Sequence, residues 1–488
     1  MNTAPHPPRL LLINPRYRRN PCSSAGRHAL TPSLALPTIA AATPAHWQVQ
    51  LHDENLCFGE PPASPVPDVV GITVHTAFAP RAYELAARYR AAGARVVLGG
   101  LHVTALPEEA ARHADVVVAG EGASVWPSVL QGLRDGSLGG GAIVRGSFAS
   151  PAYADGPWPR RELLPRGAFL TRASIIATRG CTQRCGYCYL ATRGVRAPYQ
   201  KRPLADILAE IDAIGERYVV FTDNNLMADP RWGIELCRAL RTRDLLWSAA
   251  VTIDVARNAE LVREMAASGC QGVFVGLETL SDDNLREQHK RTLPPSEYER
   301  AVSLLHDHGI EVNGSFVFGF DHDGPDVFDR TLEFIVRQHL ECATFHILTP
   351  YPGTPMFEQL EREGRILTRE WDRYDTAHVV FQPARMTPTQ LEEGYRRAYR
   401  ELYAWPTVAA RRPPGLVRAG AYLAMTALYK KWDLLWRALV PMRLTHAVWN
   451  PLVELHWRMG RSARARFATP PGELRSDGED RVSLPLVA

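Results

Sequence analysis

Long apolar runs are missing from this 488-residue chain. The longest candidate, AGAYLAMTALY at 419–429, is about half the ~20 residues of a membrane span. Charge of one sign is also scarce. Lys and Arg number 56 against 52 Asp and Glu, a net +4, which argues against a dedicated nucleic-acid binder. Disulfide pairing is absent from the pattern: of eight cysteines (22, 57, 181, 185, 188, 237, 270, 342) five stand singly. The opening MNTAPHPPRLLLINP holds a four-residue apolar run, shorter than the roughly 7–15 residues of a secretory core. Reduced thiols and a cytoplasmic location are expected. No G-x-G-x-x-G follows the apolar run at 10–14, so a nicotinamide reading is poor.

What is present is globular, with 45% hydrophobic and 22% charged residues. The length suits two to four domains. Over 1–135, near-continuous apolar runs at 10–14, 47–55, 68–74, 94–100 and 114–120 alternate with helical stretches such as 80–93. Parallel strands covered on both faces read this way, so a doubly wound, Rossmann-like α/β domain is expected. Residues 136–170, rich in Gly and Pro without a period, read as a linker. From 171 to 385 a second alternation places strands at 173–178, 218–223, 246–254, 272–278, 313–320 and 344–350, a partial (β/α)6 barrel. Residues 386–488 read as a mostly helical segment with a disordered tail.

The stretch RGCTQRCGYCYL at 179–190 follows the first barrel strand, and active sites of such folds gather at strand carboxyl ends. Cys181, Cys185 and Cys188 are one ligand short of a tetrahedral zinc site. Three thiolates suit a 4Fe–4S cube with one iron left open. Tyr187 stands just before the last cysteine and can pack against a cofactor.

The C-x-x-x-C-x-x-C spacing at the start of six β/α units resembles the radical S-adenosylmethionine superfamily. The resemblance implies that the open iron chelates S-adenosylmethionine, whose reductive cleavage yields a 5′-deoxyadenosyl radical. It also implies cofactor contacts at later strand ends. Asp223 and Asn224 in FTDNN, a departure from the common Gly-Gly-Glu form, are expected to accept from the ammonium. Glu278 is expected at the ribose, Lys290 at the carboxylate, and Ser315 in the strand segment GSFVFGF near the adenosine.

VVLGGLHVTALPEEA at 96–110 and VVVAGEGASVWP at 116–127 resemble the cobalamin-binding domain that precedes many such enzymes, the class B-type radical methyltransferases. Thr73, His75, Thr76, Gly99, Gly100, His102, Gly120 and Glu121 lie at strand ends where a flat macrocycle would rest. The D-x-H-x-x-G segment that supplies an axial histidine in many cobalamin domains is absent, so no axial ligand is named.

Residues 411–466 hold eleven Lys or Arg against two acids, with Trp432, Trp436, Trp449 and Trp457 among them. This segment reads as a helical lid, a cover for the open side of the barrel, or a peripheral membrane contact. The expected function is a cobalamin-dependent radical C-methyltransferase. Its substrate is a small molecule of natural-product, isoprenoid or tetrapyrrole-like type, and its electrons come from a flavodoxin, ferredoxin or reductase. A non-methylating radical enzyme and a non-catalytic cobalamin- or lipid-binding protein are the alternatives. A methylthiotransferase is disfavoured, because that family carries a second cysteine triad near its amino terminus.

Overall fold

The computed structural model describes residues 6–16, 30–56, 59–148, 156–427 and 433–468. Cys22, Cys57, Trp432 and the expected disordered tail (469–488) lie outside them.

The first sheet comprises β1 (Arg9–Asn14), β2 (Gln48–Asp53), β3 (Val69–Thr73), β4 (Arg95–Gly99), β5 (Val116–Gly120) and β6 (Ala142–Gly146). Its order is β2-β1-β3-β4-β5-β6, and every pair is parallel. Alternate residues of one apolar run serve opposite layers, as a pleated strand requires. Leu11 and Ile13 pack with Leu85, Ala86 and Tyr89 of the helix Ala79–Ala91. Leu10 and Leu12 pack with Trp126, Val129 and Leu130 of the helix Trp126–Asp135. The sixth strand falls within 136–170, the stretch read as a connection. Its glycines hid it, yet the pairing needs one of them. A Cβ on Gly146 would stand 1.7 Å from the Glu121 carbonyl oxygen.

The second sheet comprises β7 (Ser174–Ile175), β10 (Tyr218–Phe221), β11 (Leu246–Val251), β12 (Cys270–Glu278), β13 (Glu311–Phe318) and β14 (Cys342–Ile347) in that spatial order. All its pairs are parallel. Two short strands, β8 (Thr178–Arg179) and β9 (Gln200–Lys201), form an antiparallel clip beside it. Among the described residues β7 and β14 are edges, so this is an open partial barrel.

Unpaired strand edges invite wrong partners, and side chains cover both here. On the β7 edge, Arg161 donates to the Ser174 carbonyl (2.5 Å) and Arg202 to the Ile176 carbonyl (3.0 Å). The buried Glu210 holds both guanidiniums, at 2.7 and 2.6 Å. On the β14 edge, the Tyr399 hydroxyl accepts from the Phe345 N–H (3.0 Å) and donates to its carbonyl (3.1 Å). Tyr403 donates to the Ala343 carbonyl at 3.1 Å. Both tyrosines project from 387–405, the amphipathic stretch that opens the carboxy-terminal segment. The helix Pro388–Leu402 starts there on a Thr387/Gln390 capping box.

The last helix, Thr445–Ala468, lies under the barrel. Val453 and Trp457 pack on Leu246 and Tyr218, the first residues of β11 and β10. The Trp457 indole donates to the Asp244 carbonyl at 2.6 Å, and the Arg217 guanidinium stacks 3.9 Å from its ring centre. This helix therefore closes the amino-terminal mouth of the barrel. It is not a lid over the cysteine loop, which opens at the other end.

Candidate active site

The cysteine loop is held at its root by Asp223. This carboxylate follows β10 and accepts from the backbone N–H groups of Ala177 and Thr178 and from the Thr178 hydroxyl (2.6 Å). Burial pushes its pKa up to about 6 against the pull of those hydrogen bonds. The loop itself is stitched to two later segments. Gly186 N–H donates to the Gln288 carbonyl (3.0 Å), and Gln183 exchanges hydrogen bonds with the Arg291 backbone (2.6 and 3.0 Å). Met356 N–H donates to the Gly186 carbonyl at 3.2 Å.

Cys185 is buried, and Cys181 and Cys188 are half-buried. Burial is the main reason that the thiol of Cys185 is pushed up to about 11 and that of Cys188 to about 12. The charge of neighbouring thiolates adds to both. These sulfurs become thiolates only when a cation offsets the cost. Among the described residues no three His, Cys, Asp or Glu side chains gather to hold a single metal ion. Three neighbouring sulfurs that influence one another's titration suit a cluster in which each takes a separate iron. The Tyr187 hydroxyl bonds to Cys185, and its ring meets Phe320 edge-on at 5.5 Å. Cys237 and Cys270 are buried in the core with thiols pushed up by burial, as inert structural cysteines are.

Of the residues expected at S-adenosylmethionine, Asp223 spends its oxygens on the loop backbone. Asn224, one residue on, is more open and accepts from the Tyr189 hydroxyl. Glu278 and Lys290 meet each other: the Lys290 ammonium donates to Glu278 (2.7 Å) and to the Gly276 carbonyl (2.6 Å). Gly276 makes room for the pair, since a Cβ there would lie 2.4 Å from a Glu278 oxygen. Ser315 is buried in β13 beside Gly276. A further buried network was not anticipated. Asp323 accepts from Asn284 (2.7 Å) and from the Gly319 and Phe320 N–H groups (2.9 and 3.0 Å), tying the ends of β12 and β13 together. Gly319 with φ 107°, in the GFDHDG stretch, was the available signal.

In the first domain Thr73, Gly99 and Gly120 end β3, β4 and β5, and Gly100 turns the chain at φ 117°. Thr76 is buried. His75 faces open space, yet the surrounding protein removes enough water to lower its imidazole pKa. Glu121 accepts from the Ala123 and Ser124 N–H groups, both at 2.9 Å, and so shapes its own turn. His102 is buried at a junction between the domains. Its Nε2 lies 3.3 Å from Glu109, which also accepts from Tyr83 and from the Trp371 indole, each at 3.0 Å. Trp371 belongs to the second domain, so this histidine serves the interface.

The two domains touch near the cysteine loop. The helix Leu101–Ala105 lies against the segments that flank the cysteine loop. A Cβ on Gly353 would stand 3.0 Å from Thr192 and 3.4 Å from the Ala105 methyl, and one on Gly194 would stand 3.3 Å from Thr104. The helix that follows β4 of the first sheet thus packs against the residues that follow the cysteine loop.

Residues 175–335 match the Radical SAM superfamily, and residues 63–130 match the B12 binding domain. The bacteriochlorophyllide d C-12(1)-methyltransferase of Chlorobaculum tepidum is 30% identical over 82% of this chain and 88% of its own. The chain belongs to the cobalamin-binding radical S-adenosylmethionine enzymes. The bacteriochlorophyllide d C-8(2)-methyltransferase of the same organism is 28% identical over 78% and 87% of the two chains. The radical methyltransferase TsrM from Kitasatospora setae shares the fold, with a TM-score of 0.60 at 18% identity over 93% of this chain and 99% of that one. The enzyme accordingly uses a 4Fe–4S cluster, S-adenosylmethionine and cobalamin. A non-catalytic binding role, the outermost alternative, falls with this membership.

Proposed function

We propose that this enzyme transfers a methyl group to an unactivated carbon of a small molecule, with a tetrapyrrole-like ring as the favoured substrate class. The observation that carries the reading is the contact of Gly353 with Ala105 and Thr192. It sets the helix that follows β4 of the first domain against residues just past the cysteine loop, which supports a hand-over between two cofactors. The acceptors of the two Chlorobaculum relatives favour the ring. When bound, the reduced cluster and S-adenosylmethionine supply a 5′-deoxyadenosyl radical, and cobalamin supplies the methyl group.

In this reading Cys181, Cys185 and Cys188 each hold one iron. Asn224, Glu278, Lys290 and Ser315 line the S-adenosylmethionine side, with Tyr187 behind Cys185. Thr73, His75, Thr76, Gly99, Gly100 and Gly120 line the corrin side. Asp223, Glu121 and His102 act one step back, by shaping the loop, the turn and the domain junction. A flavodoxin- or ferredoxin-type donor in the cytoplasm delivers the electron.

The test is an anaerobic assay of the reconstituted enzyme with a chlorophyllide-type acceptor and methyl-labelled S-adenosylmethionine. Methyl transfer gives label in product, with S-adenosylhomocysteine and 5′-deoxyadenosine in comparable amounts. Deoxyadenosine alone would place the enzyme among non-methylating radical catalysts.

A further inference from the structure

The last helix has two apolar faces, and the barrel uses one. Val453 and Trp457 are buried against the strand starts. Leu444, just before the helix, and Val448, Leu452 and Leu455 within it are 41%, 43%, 43% and 55% exposed. At ~100° per residue the three helical positions fall within an arc of about 60°, opposite the buried pair. Leu434 (80% exposed) and Met442 (64%) are exposed in the preceding helix and turn. Single exposed apolar residues are ordinary, but a row along one helix face is not.

Charge selects the occupant. By sequence the segment 411–466 carries eleven Lys or Arg against two acids. Among its described side chains Arg412, Arg437, Arg443 and Arg458 are exposed and Arg411 is buried. Glu454, one of the acids, is already paired with Arg217 (2.9 Å) and Arg458 (3.2 Å). A protein partner for this row would need an apolar groove lined with acids. An anionic lipid surface offers both features over any area. No helix among the described residues is long and apolar enough to cross a membrane. An amphipathic basic helix with leucines on its free face lies in the interface.

We infer that the underside of the barrel docks on an anionic membrane surface, through Leu444, Val448, Leu452 and Leu455, helped by the exposed Arg437, Arg443 and Arg458 of the same segment. Docking there leaves the cysteine-loop end of the barrel free of the membrane.

The test is flotation of the full-length, reconstituted holoenzyme with vesicles of phosphatidylcholine alone and with added phosphatidylglycerol. The expected result is at least about tenfold more protein on the anionic vesicles at low salt, decreasing as salt rises. The L452E/L455E variant, and V448E separately, should return flotation to the neutral-vesicle level while keeping iron content and Tm. Flotation no better on anionic than on neutral vesicles overturns the inference. So does a wild-type dimer in sedimentation that L452E/L455E renders monomeric with no vesicle binding by either protein, because the row is then a self-association face.

Discussion

The Lys290 ammonium folds back onto Glu278, twelve positions earlier in the chain, at 2.7 Å. Both side chains are largely buried, at 5% and 15% exposure, and Glu278 occupies a left-handed backbone conformation (φ 64°). The pair lies close enough to influence the Cys185 thiol. Removing one partner strands the other charge away from water. Lys290→Ala or Glu278→Ala should therefore cost about 3–5 kcal/mol, seen as a lower Tm. Gly276→Ala should mimic them, because its methyl would enter the space of the Glu278 carboxylate. A Tm unchanged in all three would mean that the pair is dispensable.

The cysteines divide into two sets. Cys181→Ala, Cys185→Ala or Cys188→Ala should abolish iron content, visible absorbance and the formation of 5′-deoxyadenosine. Cys237→Ala should leave all three in place, since that thiol sits in the core and loses only packing. Iron quantitation with product chromatography reads both results.

Two buried carboxyls set an acid-range pH dependence. Burial pushes Asp223 and Asp323 up to about 6 from 3.8. The folded chain then holds these protons more tightly than the unfolded one. Each site favours folding at low pH, and that share is withdrawn as pH rises from about 4 to about 6, by roughly 3 kcal/mol per site. In cluster-free protein, denaturant unfolding at pH 4.5 and 6.5 should show this loss, and Asp323→Asn should remove about half of it. An identical pH dependence in the variant would assign the effect elsewhere.

Tyr399→Phe deletes one hydroxyl that satisfies both backbone groups of Phe345. The expected cost is about 1–3 kcal/mol, with faster aggregation because the β14 edge is bared. Urea midpoints and light scattering check the two effects.

These particulars show what the sequence could disclose. Continuous valine and leucine runs located the parallel strands, since only strands covered on both faces carry them. The cysteine spacing marked the candidate cluster loop, because its three thiols fall within eight residues. Strand β6 escaped because Gly146, required by the close approach of the Glu121 carbonyl, and the glycines just before the strand look like linker. The roles of Asp223, His102 and Glu121 escaped for another reason. Each stands at a strand end, where ligand contacts are expected, yet each bonds to backbone or to a partner brought near only by folding. Trp371 lies 262 positions from Glu109, and no local pattern reports such a meeting. The edge-covering Tyr399 and Arg161 were invisible likewise, since their partners are carbonyls and amides that every residue has.

The backbone at Gly353 acts as a spacer of minimum thickness. A Cβ at 353 would already stand 3.0 Å from Thr192 and 3.4 Å from the Ala105 methyl, so a larger residue there would press the two domains apart. In the proposed methyl transfer, that separation would lengthen the path between the two cofactors. Such a protein would still cleave S-adenosylmethionine and still bind corrin, but would rarely unite the two events on one substrate.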